Sequence, residues 1–74
     1  MDERYLEILR HSLGLRPDGG GVDYRNYFVA GGDDEACCRA LVALGLMVEG
    51  RRSDMTGGDP LFHVTDAGKV KAEQ

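Results

Sequence analysis

The chain has 74 residues, 30% of them charged, and a formal net charge of −4. A chain of this length forms a single domain, residues 1–74, and buries only about 60% of the surface that its unfolded form exposes. The acidic balance disfavours a polyanion as partner, because non-specific DNA affinity comes from neutralised phosphates. Acidic residues follow Met1 directly, and no apolar run reaches the roughly 18 residues of a membrane span, so we expect a soluble cytoplasmic protein.

The first predicted element is a helix over residues 2–13. Apolar residues recur there at three- and four-residue steps, as one buried helix face requires; they are Tyr5, Leu6, Leu9 and Leu13. Gly14 marks the end of this helix, because glycine readily takes the left-handed conformation that follows a helix. The sequence RPDGGG, residues 16–21, predicts a loop, since Pro17 disfavours helix at the residue before it.

Residues 22–30, VDYRNYFVA, suit two structures. Asp23 fits the cap of a short helix that stops before the next glycine pair, whereas the aromatic and β-branched content suits an extended segment. We favour the short helix. Core packing is the ordinary role of its rings, but an exposed Tyr24 or Tyr27, with Arg25 between them, is a candidate contact for a protein partner.

The central element is an amphipathic helix over residues 33–46, which we expect Asp33 or Asp34 to cap. Its apolar residues follow at four- and three-residue spacing, and Gly45 ends it. Two strands follow, over residues 48–52 and 61–65, joined by a loop rich in turn residues. In the second strand we expect Phe62 and Val64 to face the helices.

Thr65 is the predicted cap of a last helix over residues 66–73. Gly68 lies inside this helix, at a cost of about 1 kcal/mol relative to alanine. A close approach of another backbone segment would explain the glycine.

Between Leu41 and Lys69 the sequence resembles the winged-helix family. The run LVALGLM matches the leucine–glycine–hydrophobic turn from a helix into the first wing strand, and VTDAGK matches the end of the second. The resemblance implies an α+β, winged-helix-like fold of three to four helices with a two-stranded β-hairpin, the wing, over residues 48–64. The YRNYF segment and the GLM turn also look like small prophage-encoded bacterial proteins of uncharacterised role.

In winged-helix proteins that bind DNA, the helix before the wing enters the major groove with its N-terminal part. Here that part carries three consecutive carboxylates, residues 33–35, which repel phosphates. DNA contact would therefore fall to Arg39, Arg51 and Arg52. Fold alone does not decide between DNA and protein as the partner.

The adjacent Cys37 and Cys38 offer little chemistry. A disulfide between neighbours is strained and closes almost no loop, so we expect reduced thiols, with Cys37 in the core and Cys38 partly buried. His11 and His63 are candidate partners, but the acidic start of the helix disfavours a thiolate, and adjacent cysteines lack the spacing of a zinc knuckle. We therefore predict no enzyme, no metal and no cofactor.

Two hypotheses about function remain. The chain either binds a protein, itself or a phage or host partner, or binds DNA as a transcriptional regulator through Arg39, Arg51 and Arg52. Protein binding would use the acidic start of the central helix and the aromatic segment around Tyr24 to Phe28, with Tyr24, Arg25 and Tyr27 as the contact residues. We favour protein binding, because charge weighs more than fold analogy for affinity. The small core suggests a homodimer, through the first or the last helix.

Overall fold

The computed structural model describes residues 2–16, 18–23, 25–50 and 58–73. In chain order the elements are α1 (Glu3–Leu13), β1 (Phe28–Val29), α2 (Asp33–Ala43), β2 (Met47–Glu49), β3 (Leu61–Val64) and α3 (Asp66–Ala72). The described residues form a small α+β fold with three helices and one three-stranded antiparallel sheet, a layout compatible with a winged helix. Tyr24, Arg51 and Arg52, three of the predicted contact residues, lie outside the described residues.

Helix α1 follows the sequence prediction closely. The Asp2 side chain accepts a hydrogen bond from the Arg4 backbone N–H at 2.9 Å and caps the first turn. Gly14 has the left-handed conformation, with φ of 78°, and the Leu15 N–H bonds to the Arg10 carbonyl at 2.8 Å. Local sequence therefore determines both ends of α1, and Leu15 folds back into the core.

The predicted aspartate cap of α2 is wrong. Gly32 occupies the cap position, with φ of 60° and ψ of −129°, and has no side chain with which to cap the first turn. The positive φ lets the chain turn directly from β1 into the helix, which leaves Asp33 as the first helical residue. Acidic side chains there still suit the positive end of the helix dipole. At the other end Gly45 has φ of 76°, and Leu46 N–H bonds to the Leu41 carbonyl at 2.9 Å.

The predicted short helix within residues 22–30 is also wrong, because residues 22–23 and 25–27 are not helical and Phe28–Val29 form β1. The sheet order is β1-β3-β2, with Phe28 opposite Phe62 and Val48 opposite His63. The predicted pairing of two strands after α2 is present as β2 and β3. The fold nevertheless has a third strand that a two-stranded wing does not include.

One side chain extends the pairing of β1 with β3. Asn26 Oδ1 accepts from the Val64 N–H at 2.6 Å, and Asn26 Nδ2 donates to the Val64 carbonyl at 3.0 Å. This side-chain amide takes the place of a backbone partner. At the other end of β1 the Ala30 N–H bonds to the Pro60 carbonyl at 3.0 Å. These long-range bonds override the weak helical preference of the segment.

The C-terminal part confirms three predictions. Phe62 and Val64 are buried against the helices. The Thr65 side chain caps α3 by accepting from the Gly68 N–H at 3.1 Å, and its hydroxyl donates to the Gly45 carbonyl at 2.7 Å. A Cβ on Gly68 would collide with the Leu46 carbonyl oxygen, so the backbone does approach closely there.

The core lies between the helices and one face of the sheet, where α1 contacts α2, α3, β1 and β3. Its buried residues are Ile8, Leu9, Leu13, Leu15, Ala30, Cys38, Leu41, Leu46, Met47, Phe62, Val64 and Ala72. Within the described ranges, no helix has the length and apolar character needed to cross a bilayer.

Candidate interaction surface

The sheet has one face turned away from the helices. Phe62 and Val64 point into the core, and their partners Phe28 and Met47 lie on the same side. Because side chains alternate along a strand, the intervening residues point outward. We call them the open sheet face; its members are Tyr27, Val29, Val48, Leu61 and His63.

The open sheet face is apolar and accessible. Tyr27 is 49% exposed, Val48 50% and Val29 38%, while Leu61 and His63 are half-buried. None of the five carries a carboxylate, ammonium or guanidinium group, although 30% of the chain is charged. An antiparallel sheet with one solvated face normally places polar residues there. A contiguous apolar surface on a small chain is typical of an interaction site.

The open sheet face is uneven across the strands. On the β1 side it carries the large ring of Tyr27, and the Arg25 guanidinium lies 5.7 Å from the centre of that ring. On the β2 side the residue after Glu49 is Gly50, whose N–H bonds to the Leu61 carbonyl. A Cβ there would lie only 2.8 Å from His63 Nε2, because the histidine ring occupies the space beside Gly50.

His63 is fixed at the centre of the open sheet face. Its ring Nδ1 lies 2.7 Å from the Asn26 carbonyl oxygen. A carbonyl can only accept, so Nδ1 is the donor and carries a proton in the neutral ring. The same asparagine whose side chain pairs with Val64 therefore also orients the histidine.

A groove adjoins this face, between α1 and β1. It has a volume of about 440 Å³, and its lining residues are Glu7, Ile8, Arg10, His11, Leu15 and Phe28. A second hollow of about 250 Å³ shares His11 and Phe28 with it and reaches Arg25, Tyr27 and Val29. The Arg25 side chain donates to the His11 carbonyl at 2.6 and 3.1 Å, which joins the loop before β1 to the end of α1.

Two predicted partner-contact residues, Arg25 and Tyr27, are thus brought together next to β1. Tyr27 belongs to the open sheet face, whereas Arg25 is half-buried between α1 and the ring. The sequence did not point to Val29, Val48 or Leu61. Their signal was the presence of apolar residues on both faces of a strand. For Val29, the helix predicted for residues 22–30 concealed this signal.

Arg39, the described member of the predicted DNA-contact set, has a structural role. It bonds to Glu35 at 3.0 Å and to Glu49 at 3.0 and 3.4 Å, and so joins α2 to β2. The hydrogen bond that Arg39 donates to Glu49, followed by the one it donates to Glu35, raises the pKa of the Arg39 guanidinium. Its charge is balanced by two carboxylates, and the guanidinium lies 5.8 Å from the centre of the Phe62 ring. To bind a phosphate, Arg39 would have to leave both carboxylates.

The two cysteines have exchanged the roles expected from sequence. Cys38 is fully buried in the core, whereas Cys37 is half-buried. Burial, and then the nearby charges of Asp34 and Cys37, raise the pKa of the Cys38 thiol to about 11. Arg4 donates to Cys37 Sγ at 3.2 Å and to Asp34 at 2.7 Å. Cys38 is therefore a core residue with a protonated thiol.

The histidines are engaged elsewhere. His11 packs edge-on against Phe28 with ring centres 5.7 Å apart, and His63 bonds to Asn26. In the described part of the chain, no group of three His, Cys, Asp or Glu residues is arranged to hold a metal ion.

Protein-family models, curated proteins and solved structures give no significant match to this chain. Its fold and its surfaces are therefore the basis for a functional assignment.

Proposed function

We propose that this chain is a non-enzymatic protein-interaction module with a winged-helix-like layout and a phage or prophage origin, which contacts a protein through the open sheet face. The observation that carries the proposal is the accessible, uncharged apolar surface formed by Tyr27, Val29 and Val48 on an acidic chain. Interface centres are depleted in charge and enriched in aromatic residues, and Tyr27 supplies such a ring.

The alternative is a DNA-binding regulator that uses helix 33–46 and the wing 48–64. The winged-helix resemblance favours it, but the described residues weaken it. Arg39 is paired with Glu35 and Glu49, and Arg4, which lies beside the start of α2, is paired with Asp34 at 2.7 Å. The beginning of α2 thus presents carboxylates to any approaching phosphate.

A DNA titration separates the two functions. Amide NMR spectra recorded while a mixed-sequence duplex is added at low salt should remain unchanged if the chain binds protein. Shifts at the start of α2 that weaken as salt rises would instead establish DNA binding, because phosphate contacts release counterions. That result would refute the proposal.

A pair of substitutions tests protein binding directly. Val48→Asp places a carboxylate on the open sheet face, while Val70→Asp does the same on α3, at a residue of similar exposure, 58% against 50%. Immobilised wild-type chain and the Val70→Asp variant should both retain a bacterial protein that the Val48→Asp variant does not retain. Once purified, that protein should bind the wild-type chain and Val70→Asp with similar affinity and Val48→Asp more weakly. Equal binding to both variants would exclude the open sheet face as the site.

A further inference from the structure

We infer that the partner supplies an extended acidic peptide segment, which adds as a short strand to the outer edge of β1. This inference rests on the proposed function, because it names the kind of segment that reaches the open sheet face at Tyr27 and Val29. Three observations carry it: the outward-facing backbone of Val29, two hollows along β1, and the basic groups that line them.

The backbone of Val29 faces away from the sheet. In an antiparallel pair, residues whose N–H and C=O bond to the neighbouring strand alternate with residues whose groups point to the other side. The Ala30 N–H bonds to the Pro60 carbonyl, so the groups of Ala30 face β3 and those of Val29 face outward. Among the described residues, no hydrogen-bond partner occupies the Val29 N–H or C=O at this edge. An added strand forms its backbone bonds with such groups.

Helix α1 limits the length of the added strand. The Tyr27 N–H, two residues before Val29, bonds to the Ser12 carbonyl at 3.1 Å, so the end of α1 already occupies that position of the edge. The added strand therefore gains its backbone hydrogen bonds at Val29, and side chains supply the rest of the affinity. We expect a dissociation constant on the order of 0.1–1 mM.

The groove between α1 and β1 and the smaller hollow beside it receive alternate side chains of the peptide. Successive side chains of a strand point to opposite sides. A peptide residue beside Val29 has its side chain at the hollow, where Arg25 and Tyr27 lie. The next peptide residue points to the groove, which Ile8 and Phe28 line. With a volume of about 440 Å³, the groove has room for an aliphatic or aromatic side chain.

Charge favours acidic residues at the alternate positions. The groove and the hollow are lined by one carboxylate, that of Glu7, and by the guanidiniums of Arg10 and Arg25. Arg10 Nε donates to the Ala72 carbonyl at 2.9 Å, and Arg25 donates to the His11 carbonyl, which fixes both guanidiniums beside the hollows. At physiological ionic strength, charges more than about 8 Å away are largely screened, so these groups outweigh the net charge of −4.

Two capped heptapeptides test the inference: Thr-Val-Glu-Phe-Glu-Val-Thr and its counterpart with lysine for glutamate. The net charge of the chain favours the lysine peptide, whereas the lining of the hollows favours the acidic one. In amide NMR titrations of the full chain at about 0.15 M salt, the acidic peptide should shift the Val29 amide, and the lysine peptide should bind about fivefold more weakly.

Three results of these titrations would overturn the inference. The first is an unmoved Val29 amide at about 3 mM acidic peptide, a concentration above the expected dissociation constant. The second is equal or tighter binding of the lysine peptide. The third is a Val29 shift that appears when the chain is concentrated without peptide, because a second copy would then be the occupant.

Two pairs of variants locate the contact. Val29→Pro removes the outward N–H without removing a bond between β1 and β3, and edge strands tolerate proline. It should weaken peptide binding about tenfold, whereas Val29→Thr keeps the N–H and should bind like wild type. Unchanged amide shifts of Phe62 and Val64 verify the sheet of the proline variant. Glu7→Gln should tighten binding about twofold, and Glu3→Gln, on the same helix but outside the groove, should leave it unchanged.

The strand addition and the proposed function fail separately. Wild-type affinity of Val29→Pro for the acidic peptide would exclude strand addition, and equal affinities of Glu7→Gln and Glu3→Gln would exclude the acidic character of the peptide. A protein partner that requires Val48 but binds Val29→Pro as tightly as wild type would retain the proposed function and lose only the added strand.

Discussion

Asn26→Ala is the substitution that most directly tests how the sheet is built. The Asn26 side chain satisfies both the N–H and the carbonyl of Val64, a residue only 5% exposed. Each lost hydrogen bond should cost about 1 kcal/mol. This value is at the low end of the cost of leaving a buried polar group unsatisfied, because water can reach the half-buried site that the asparagine vacates. We expect the free energy of unfolding to fall by about 2 kcal/mol.

This loss is large for a chain of 74 residues, whose total stability is roughly 4–11 kcal/mol. Urea unfolding followed by circular dichroism measures it: with a slope of about 1 kcal/mol per molar, the midpoint should fall by about 2 M. Asp23→Ala, an exposed change on the same segment, is the control and should alter stability by less than about 0.5 kcal/mol.

The isosteric Asn26→Asp variant refines the test. It keeps an oxygen for the Val64 N–H but sets a second acceptor against the Val64 carbonyl. We expect it to be at least as unstable as Asn26→Ala at neutral pH and to recover part of the loss when acid protonates the new carboxyl. An Asn26→Ala variant within about 0.5 kcal/mol of wild type would show that β1 docks without this amide.

Substitutions at three further positions address α3 and the core. Gly68→Ala should destabilise the chain by about 2 kcal/mol in urea unfolding, because the new methyl group meets the Leu46 carbonyl, despite the better helix propensity of alanine. Thr65→Ala removes the α3 cap and the bond to Gly45 and should cost about 1–2 kcal/mol, whereas Thr65→Ser should retain most of the stability. The free energy of unfolding of the wild-type chain should fall by up to about 3 kcal/mol between pH 9 and pH 11, because the Cys38 thiol loses its proton in the unfolded chain but keeps it in the folded chain. Unfolding curves of the Cys38→Ala variant, measured in parallel, should lack this part of the pH dependence.

The features that sequence predicted correctly depend on neighbouring residues. The end of α1 at Gly14, the cap of α3 at Thr65 and the inward side of Phe62 follow from turn chemistry and alternation over a few positions. Gly68 in α3 was also informative, because only a close backbone contact makes a glycine favourable inside a helix.

The features that sequence missed depend on distant residues. Strand β1 exists because Asn26 and Phe28 meet β3, which follows more than 30 residues later. The sequence predicts the wrong one of the two cysteines as the core residue. Helix α2 has small or polar residues on several sides, so its apolar stripe does not specify whether Cys37 or Cys38 faces the core. The pairing of Arg39 with Glu49 could not be predicted from sequence, because the two residues lie in different elements.

The order of strands in the sheet has a consequence for synthesis. Strand β3 lies between β1 and β2, yet it is the last of the three to leave the ribosome. Until then β1 and β2 have no partner to pair with, and Asn26 has no Val64 to bind. The nascent chain can therefore form α1 and α2 before its sheet, and its apolar residues should remain accessible to chaperones until residues 61–64 emerge.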